Sequence, residues 1–153
     1  MIDIRPADIA HAAHIIDGLR EQDYDEINAV VKMPYANLAR HAIASSPDCA
    51  FIAYLDNEPA AMFGISTLLS HVGQGWAFGT DKMRRTVPAM TRHGLNVIVP
   101  TLKAKGFHRI EVRTFVDHDL SHKWLAGMGA INEGICRSYG RHREDFALYA
   151  LTF

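Results

Sequence analysis

Cysteine is scarce in this chain, and neither sign of charge predominates. The two cysteines, Cys49 and Cys136, lie in apolar-rich segments and form no C-x-x-C pair, so they are expected as buried thiols that pack like small hydrophobes. Lysine and arginine number 16 against 17 acidic residues. The resulting net charge of −1 gives no global attraction to nucleic acid or to a membrane, so any anion binding must come from a local cluster. No apolar run approaches the roughly 20 residues that cross a bilayer, which excludes a spanning helix. The first ten residues, MIDIRPADIA, carry charges where a signal peptide would be apolar, and a cytoplasmic location is expected. Repeats, low-complexity tracts and linkers are also absent. Residues 1–153 are therefore read as a single domain, long enough to bury a sizeable core.

Histidine, by contrast, is plentiful at nine residues. His118 and His122 stand four apart in VDHDLSHKW beside Asp117 and Asp119, a spacing that could clasp a metal on one helix face. No third histidine or cysteine follows at a ligating distance, and His11 and His14 make a weaker pair. No metal site is expected.

Apolar periodicity supplies the elements. Ile2 and Ile4 alternate with polar neighbours in a strand that Pro6 ends. Helical spacing follows from Ala7 to Leu19 and again from Tyr35 to Ala44. CAFIAYL and PAAMFGIST form a hairpin around Asp56-Asn57-Glu58. Gly73 and Gly75 bracket a further turn ahead of the short strand GWAFG. A helix opens near Val87-Pro88 and runs to Lys105, with Pro100 expected to kink or break it near Asn96. His108–Val116 is a strand, Leu120–Met128 a helix, and AINEGICRSYG and DFALYALTF are terminal strands. The order βααβββαβαββ contains a central βαβ unit, which demands a parallel pair and a right-handed crossover. A mixed α/β sheet with helices on its faces results.

The stretch GTDKMRRTVPAMTRHG occupies the carboxyl end of one strand of that unit, where α/β sheets bind ligands. Lys82, Arg84 and Arg85 precede a helix start there, a setting that suits an anion.

The element order, IRPAD near the start, WLAGMGA before a strand and the closing DFALYALTF together resemble the GNAT N-acetyltransferase superfamily over nearly the whole chain. The resemblance implies a mostly antiparallel twisted sheet with helices on both faces, and acetyl-CoA as cosubstrate. In that family a glycine-rich loop, [RQ]-x-x-G-x-[GA], holds the pyrophosphate on main-chain N–H groups. The matching region is Arg85 to Thr91, RTVPAMT, which has no glycine and contains Pro88. The resemblance therefore implies a cofactor site of Phe78 and Gly79 at the thioester, with Arg84, Arg85, Ala89 and Thr91 at the phosphates. His118 stands where the family has an asparagine. The family's acid tyrosine falls on Leu125, beside Trp124, so Tyr139 becomes the candidate phenol. His71 and Asp81, flanking the fourth strand, are the candidate bases.

More narrowly, the short length, LREQDYDEI and HKWL resemble small GNAT-like proteins of tailed phages and prophages of the internal virion protein A type. This implies a virion location and phage or host protein partners as the alternative to an enzyme with a small-molecule or protein amine acceptor. Nucleic-acid binding through KMRR and RSYGRHR is the weaker reading, because two short basic clusters at near-neutral charge read as solvated faces. An exposed terminal strand offers an edge for pairing in a homodimer.

Overall fold

The computed structural model describes all residues, 1–153. In chain order the elements are β1 (Ile2–Pro6), α1 (Ile9–Asp17), α2 (Glu21–Val30), α3 (Tyr35–Ala44), β2 (Ala50–Leu55), β3 (Glu58–Leu69), β4 (Val72–Gly79), α4 (Met83–His93), a π-helical turn (Gly94–Ile98), α5 (Val99–Ala104), β5 (Arg109–Phe115), α6 (Asp119–Gly127), β6 (Ile131–Cys136) and β7 (Phe146–Thr152). The strands form one seven-stranded sheet in the order β1-β2-β3-β4-β5-β7-β6. Every neighbouring pair is antiparallel except β4 and β5, joined by the helical crossover. The mixed, mostly antiparallel sheet with its central parallel unit is the architecture expected.

Each face of the sheet carries its own core. On one, Ala12 and Ile15 of α1 and Leu38 and Ala42 of α3 pack on Ile52, Tyr54, Met62 and Phe78. On the other, Met83 and Met90 of α4, with Ile98 and Leu102 beyond it, cover Ala53, Ala61, Phe63 and Ile110. Complete burial of a side chain such as Ile15 contributes about 1.5–3 kcal/mol, so these two layers hold the helices to the sheet. Asp8 caps α1, its carboxylate accepting from the His11 amide at 3.0 Å. The β2–β3 hairpin closes through Asp56 and Asn57, both at positive φ (51° and 66°), as a two-residue turn of the right twist requires.

Three boundaries differ from the expectation. A further helix, α2, was not foreseen: EQDYDEINAV buries Asp23 and Ala29 rather than an apolar stripe, so its periodicity is silent. Gly73 and Gly75 lie inside β4 and not at a turn. A Cβ on Gly73 would fall 2.4 Å from Ile65 Cγ2, and one on Gly75 2.7 Å from Val112 Cγ2, so these glycines mark close packing. α4 starts at Met83, ahead of Val87-Pro88. Thr80 receives the entering amides, Met83 N–H on its carbonyl at 2.9 Å and Lys82 N–H on its hydroxyl at 3.3 Å, which places Pro88 in mid-helix. The break expected from Pro100 is there: the backbone widens to a π turn over Gly94–Ile98, which includes Asn96, and resumes as α5. Cys49 is buried, and burial pushes its thiol pKa up; Cys136 is only half-buried. No helix is long and apolar enough to cross a membrane.

Candidate active site

β4 and β5 are hydrogen-bonded only at their beginnings, where Val72, Gly73 and Gln74 face Arg109, Ile110 and Glu111. Beyond Gln74 the strands part and a cavity of about 650 Å³ opens between them, reaching both faces of the sheet. Trp76 and Phe78 line it from β4, Val112 and Thr114 from β5, and Trp124 from α6. Trp76 and Phe78 stack at 5.6 Å between ring centres. The Trp124 indole N–H donates to the Thr91 hydroxyl at 2.7 Å, which fixes that wall to α4.

α2 closes the open end of the split. Asp23 and Glu26 lie three residues apart on one face of the helix, and each receives a main-chain amide from a different side of the gap. Gly79, ending β4, donates to Asp23 Oδ2 at 2.9 Å; Phe115, ending β5, donates to Glu26 Oε1 at 3.2 Å. The Gly79 carbonyl accepts from the Arg20 amide at 3.0 Å. Arg20 also grips Asp23 through Nε at 2.9 Å and Nη2 at 2.8 Å, and the aspartate side chain is only 5% exposed. Two carboxylates thus replace the hydrogen bonds that the diverging strands give up.

Glu26 does a second thing. Its Oε2 lies 3.0 Å from His118 Nδ1, with Thr114 Oγ1 at 3.5 Å from the same nitrogen. An ionised carboxylate only accepts, so the network puts the proton of a neutral ring on Nδ1 and leaves the Nε2 lone pair free. His122 is set in the opposite tautomer. Its Nε2 is 3.0 Å from the Phe115 carbonyl, which also only accepts, so Nδ1 receives the Tyr149 hydroxyl at 2.7 Å. The two histidines that could have shared a metal are therefore engaged separately, and no three His, Cys, Asp or Glu side chains converge on a metal position. His118 and Tyr149 both line the cavity.

Neither a protein-family model nor a curated protein sequence matches the chain. Solved structures do. Ard1 from Thermoplasma volcanium superposes with a TM-score of 0.74 at 9% identity, over 99% of this chain and 97% of that one. An acetyltransferase of the GNAT family from Streptococcus pneumoniae gives 0.72 at 14% identity, over 100% and 99%. The structure of yncA from Salmonella typhimurium, solved with its cofactor acetyl-CoA, gives 0.73 at 13% identity over 99% and 93%.

The chain has the GNAT fold.

Within this GNAT fold the residues singled out from the sequence separate into two groups. Phe78, Arg84 and His118 line the cavity. Gly79 stands beside it, but α2 takes both its amide and its carbonyl, so its main chain is not open to a ligand. Thr91 acts through Trp124, its hydroxyl otherwise donating to the Val87 carbonyl at 2.8 Å. Ala89 and Arg85 are on α4 away from the cavity, Arg85 lying towards Asp56 and helping to hold that carboxyl below its usual range after the nearby N-terminal ammonium. Lys82 is paired with Glu58. His71 sits at the amino end of β4, stacked on His108 at 5.0 Å between ring centres, far from where the strands part. Asp81 is exposed in the turn before α4. Tyr139 packs on Phe146 and under the Arg113 guanidinium, one residue removed from the cavity.

The residues that the sequence reading did not single out are Asp23, Glu26, Arg113 and Tyr149. The D-x-x-E spacing in EQDYDEI was the available signal for the first two. Nothing local marks the others, since Tyr149 reads as one more core aromatic of a terminal strand.

Proposed function

We propose that the protein is an N-acyltransferase that moves an acetyl group from acetyl-CoA to an amine in the gap between β4 and β5. The observation that carries the reading is the Glu26–His118 pair on the wall of the cavity between β4 and β5. When bound, the donor supplies an acetyl thioester; the new C–N bond forms as the C–S bond breaks. His118 Nε2 is the base that takes the proton of the entering amine, and Glu26 fixes the ring and stabilises its charged form. Tyr149 is the phenol available to protonate the departing thiolate, its O–H turning from His122 Nδ1 to the sulfur, and solvent restores the proton afterwards. Trp76, Phe78 and Trp124 exclude water from the reacting carbonyl.

The residues suit the pantetheine arm better than the phosphates. The region Arg85–Thr91 is helical, so its amides are turned to helix carbonyls, and Pro88 has none. Arg84, on the rim in the first turn of α4, is the side chain that meets a phosphate, in a charge contact that needs no glycine.

That regular helix also favours a second reading, a module that kept the scaffold without the chemistry and binds a phage or host protein. Calorimetry with acetyl-CoA decides between them. Saturable binding in the micromolar range, weakened by Arg84→Ala, is expected. No binding at millimolar acetyl-CoA refutes the transferase.

A further inference from the structure

Arg113 is the one guanidinium in the cavity with a buried nitrogen that lacks an acceptor. Its side chain is 20% exposed, and Nη2 reaches Glu111 Oε2 at 3.1 Å. That carboxylate is already shared, because Oε1 accepts from Arg109 Nε at 3.0 Å, and Arg109 in turn holds Glu133. The Arg113 Nε atom is buried and has no acceptor. A buried donor without a partner is costly, so it marks a place where a ligand completes the hydrogen bonding.

Position narrows the ligand. Along β5, Arg113 alternates with Val112 and Thr114 and so faces the α2 and α3 side of the sheet. It stands two residues before Phe115, whose amide reaches Glu26, and Arg113, Glu26 and His118 all line the same cavity. The Tyr139 ring lies 5.2 Å from the guanidinium and holds it in place. On the same side, Trp76, Val30 and Leu38 line the cavity with apolar surface. The remaining carboxylates are spent, Asp23 on Arg20 and Glu26 on His118, so no free anion is present to hold a polyamine.

We propose that Arg113 is a carboxylate subsite and that the acyl acceptor is an amino acid with an apolar side chain. Its carboxylate pairs with the Arg113 guanidinium from the cavity side, its amine lies at His118, and its side chain rests on Trp76. The planar guanidinium suits a carboxylate, and a cation already partly balanced by Glu111 matches one negative charge better than two. This inference rests on the acceptor side of the transferase reading, but its test uses no thioester.

The test is equilibrium binding to the full chain, followed by the fluorescence of Trp76 and Trp124, with two matched pairs of probes. L-Phenylalanine is compared with 2-phenylethylamine, and L-leucine with 3-methylbutylamine. In wild type the amino acid of at least one pair is expected to bind about 10- to 100-fold more tightly than the bare amine, the range of one charged hydrogen bond. Arg113→Gln should bring that pair to within about 2-fold while leaving the amine's affinity unchanged. Arg113→Lys, with thermal unfolding of both variants, separates loss of the subsite from loss of the fold. Equal affinities within both pairs, no saturation by any of the four probes, or a preference that survives in a folded Arg113→Gln overturns the proposal. A carboxylate preference without acetyl transfer removes the transferase and leaves the amino-acid site. Transfer to the bare amines at equal rates keeps the transferase and removes the subsite.

Discussion

Replacing Asp23 by alanine tests whether α2 holds the split sheet together. Its carboxylate accepts three hydrogen bonds, two from Arg20 and one from the Gly79 amide, at 2.8–2.9 Å and at 5% exposure. Removing it strands a guanidinium that is only 15% exposed and a main-chain donor at the end of β4. Breaking a buried pair from one side costs about 3–5 kcal/mol, a large share of the roughly 5–15 kcal/mol that hold a domain folded. With a urea slope of about 2 kcal/mol/M, the unfolding midpoint should fall by roughly 2 M. Arg20→Met with Asp23→Leu should be less destabilised than Asp23→Ala alone, because no charge is left unpaired. Urea titration followed by circular dichroism reads the midpoint, and hydrogen exchange at Gly79 reports the local loss. A midpoint within about 0.5 M of wild type for Asp23→Ala would refute the clamp, since that is about 1 kcal/mol at the same slope.

His118→Gln should lower kcat/KM for acetyl transfer by about 10²- to 10⁴-fold with little change in acetyl-CoA affinity. A rate within about 3-fold of wild type would remove His118 as the base, being far below what general base catalysis contributes. His93 packs edge-on against Phe51 at 4.4 Å and near Phe63 at 6.0 Å, with Nε2 buried and unpartnered, and burial lowers its pKa. Its contribution to stability is therefore complete above the unfolded value, near 6.5, and is lost as the pH falls from there through the lowered folded value. His93→Leu should flatten that limb of a melting-temperature profile, and an unchanged limb would assign it to other groups. Thr91→Val strands the Trp124 indole N–H and should cost about 1 kcal/mol, or roughly 3 °C in Tm. An unchanged melt would show that the bond carries nothing.

Where an element buries apolar side chains at a fixed period, its place could be read from the residues. Ala7 to Leu19, Tyr35 to Ala44 and the alternation from Ile110 to Val116 gave α1, α3 and β5 to within about two residues at each end. α2 escaped because what it buries is a carboxylate, and a charge paid for by Arg20 and Gly79 leaves no hydrophobic period behind. Gly73 and Gly75 suggested a turn because glycine has two structural uses, and the sequence does not say which one applies. In β4 the use is steric, making room for Ile65 and Val112. The candidate bases His71 and Asp81 were placed by nearness to the fourth strand. That strand has two ends, about 24 Å apart for eight residues, and His71 lies at the wrong one.

The sequence alone determined most of the layers of this protein: which stretches are strands, which helices other than α2 cover them, and that one pair must run parallel. Those follow from local periods and from the length of the crossover, and both are written in one dimension. Only the tertiary structure decided the site. The gap exists because β4 and β5 diverge, and its chemistry comes from α2, β5, α6 and β7, segments up to about 120 residues apart in the chain. Glu26 meets His118, and Tyr149 meets His122, across distances along the chain that no local pattern encodes. Packing of each helix on the sheet sets those meetings, and with them the free nitrogen of His118 on which a reaction would depend.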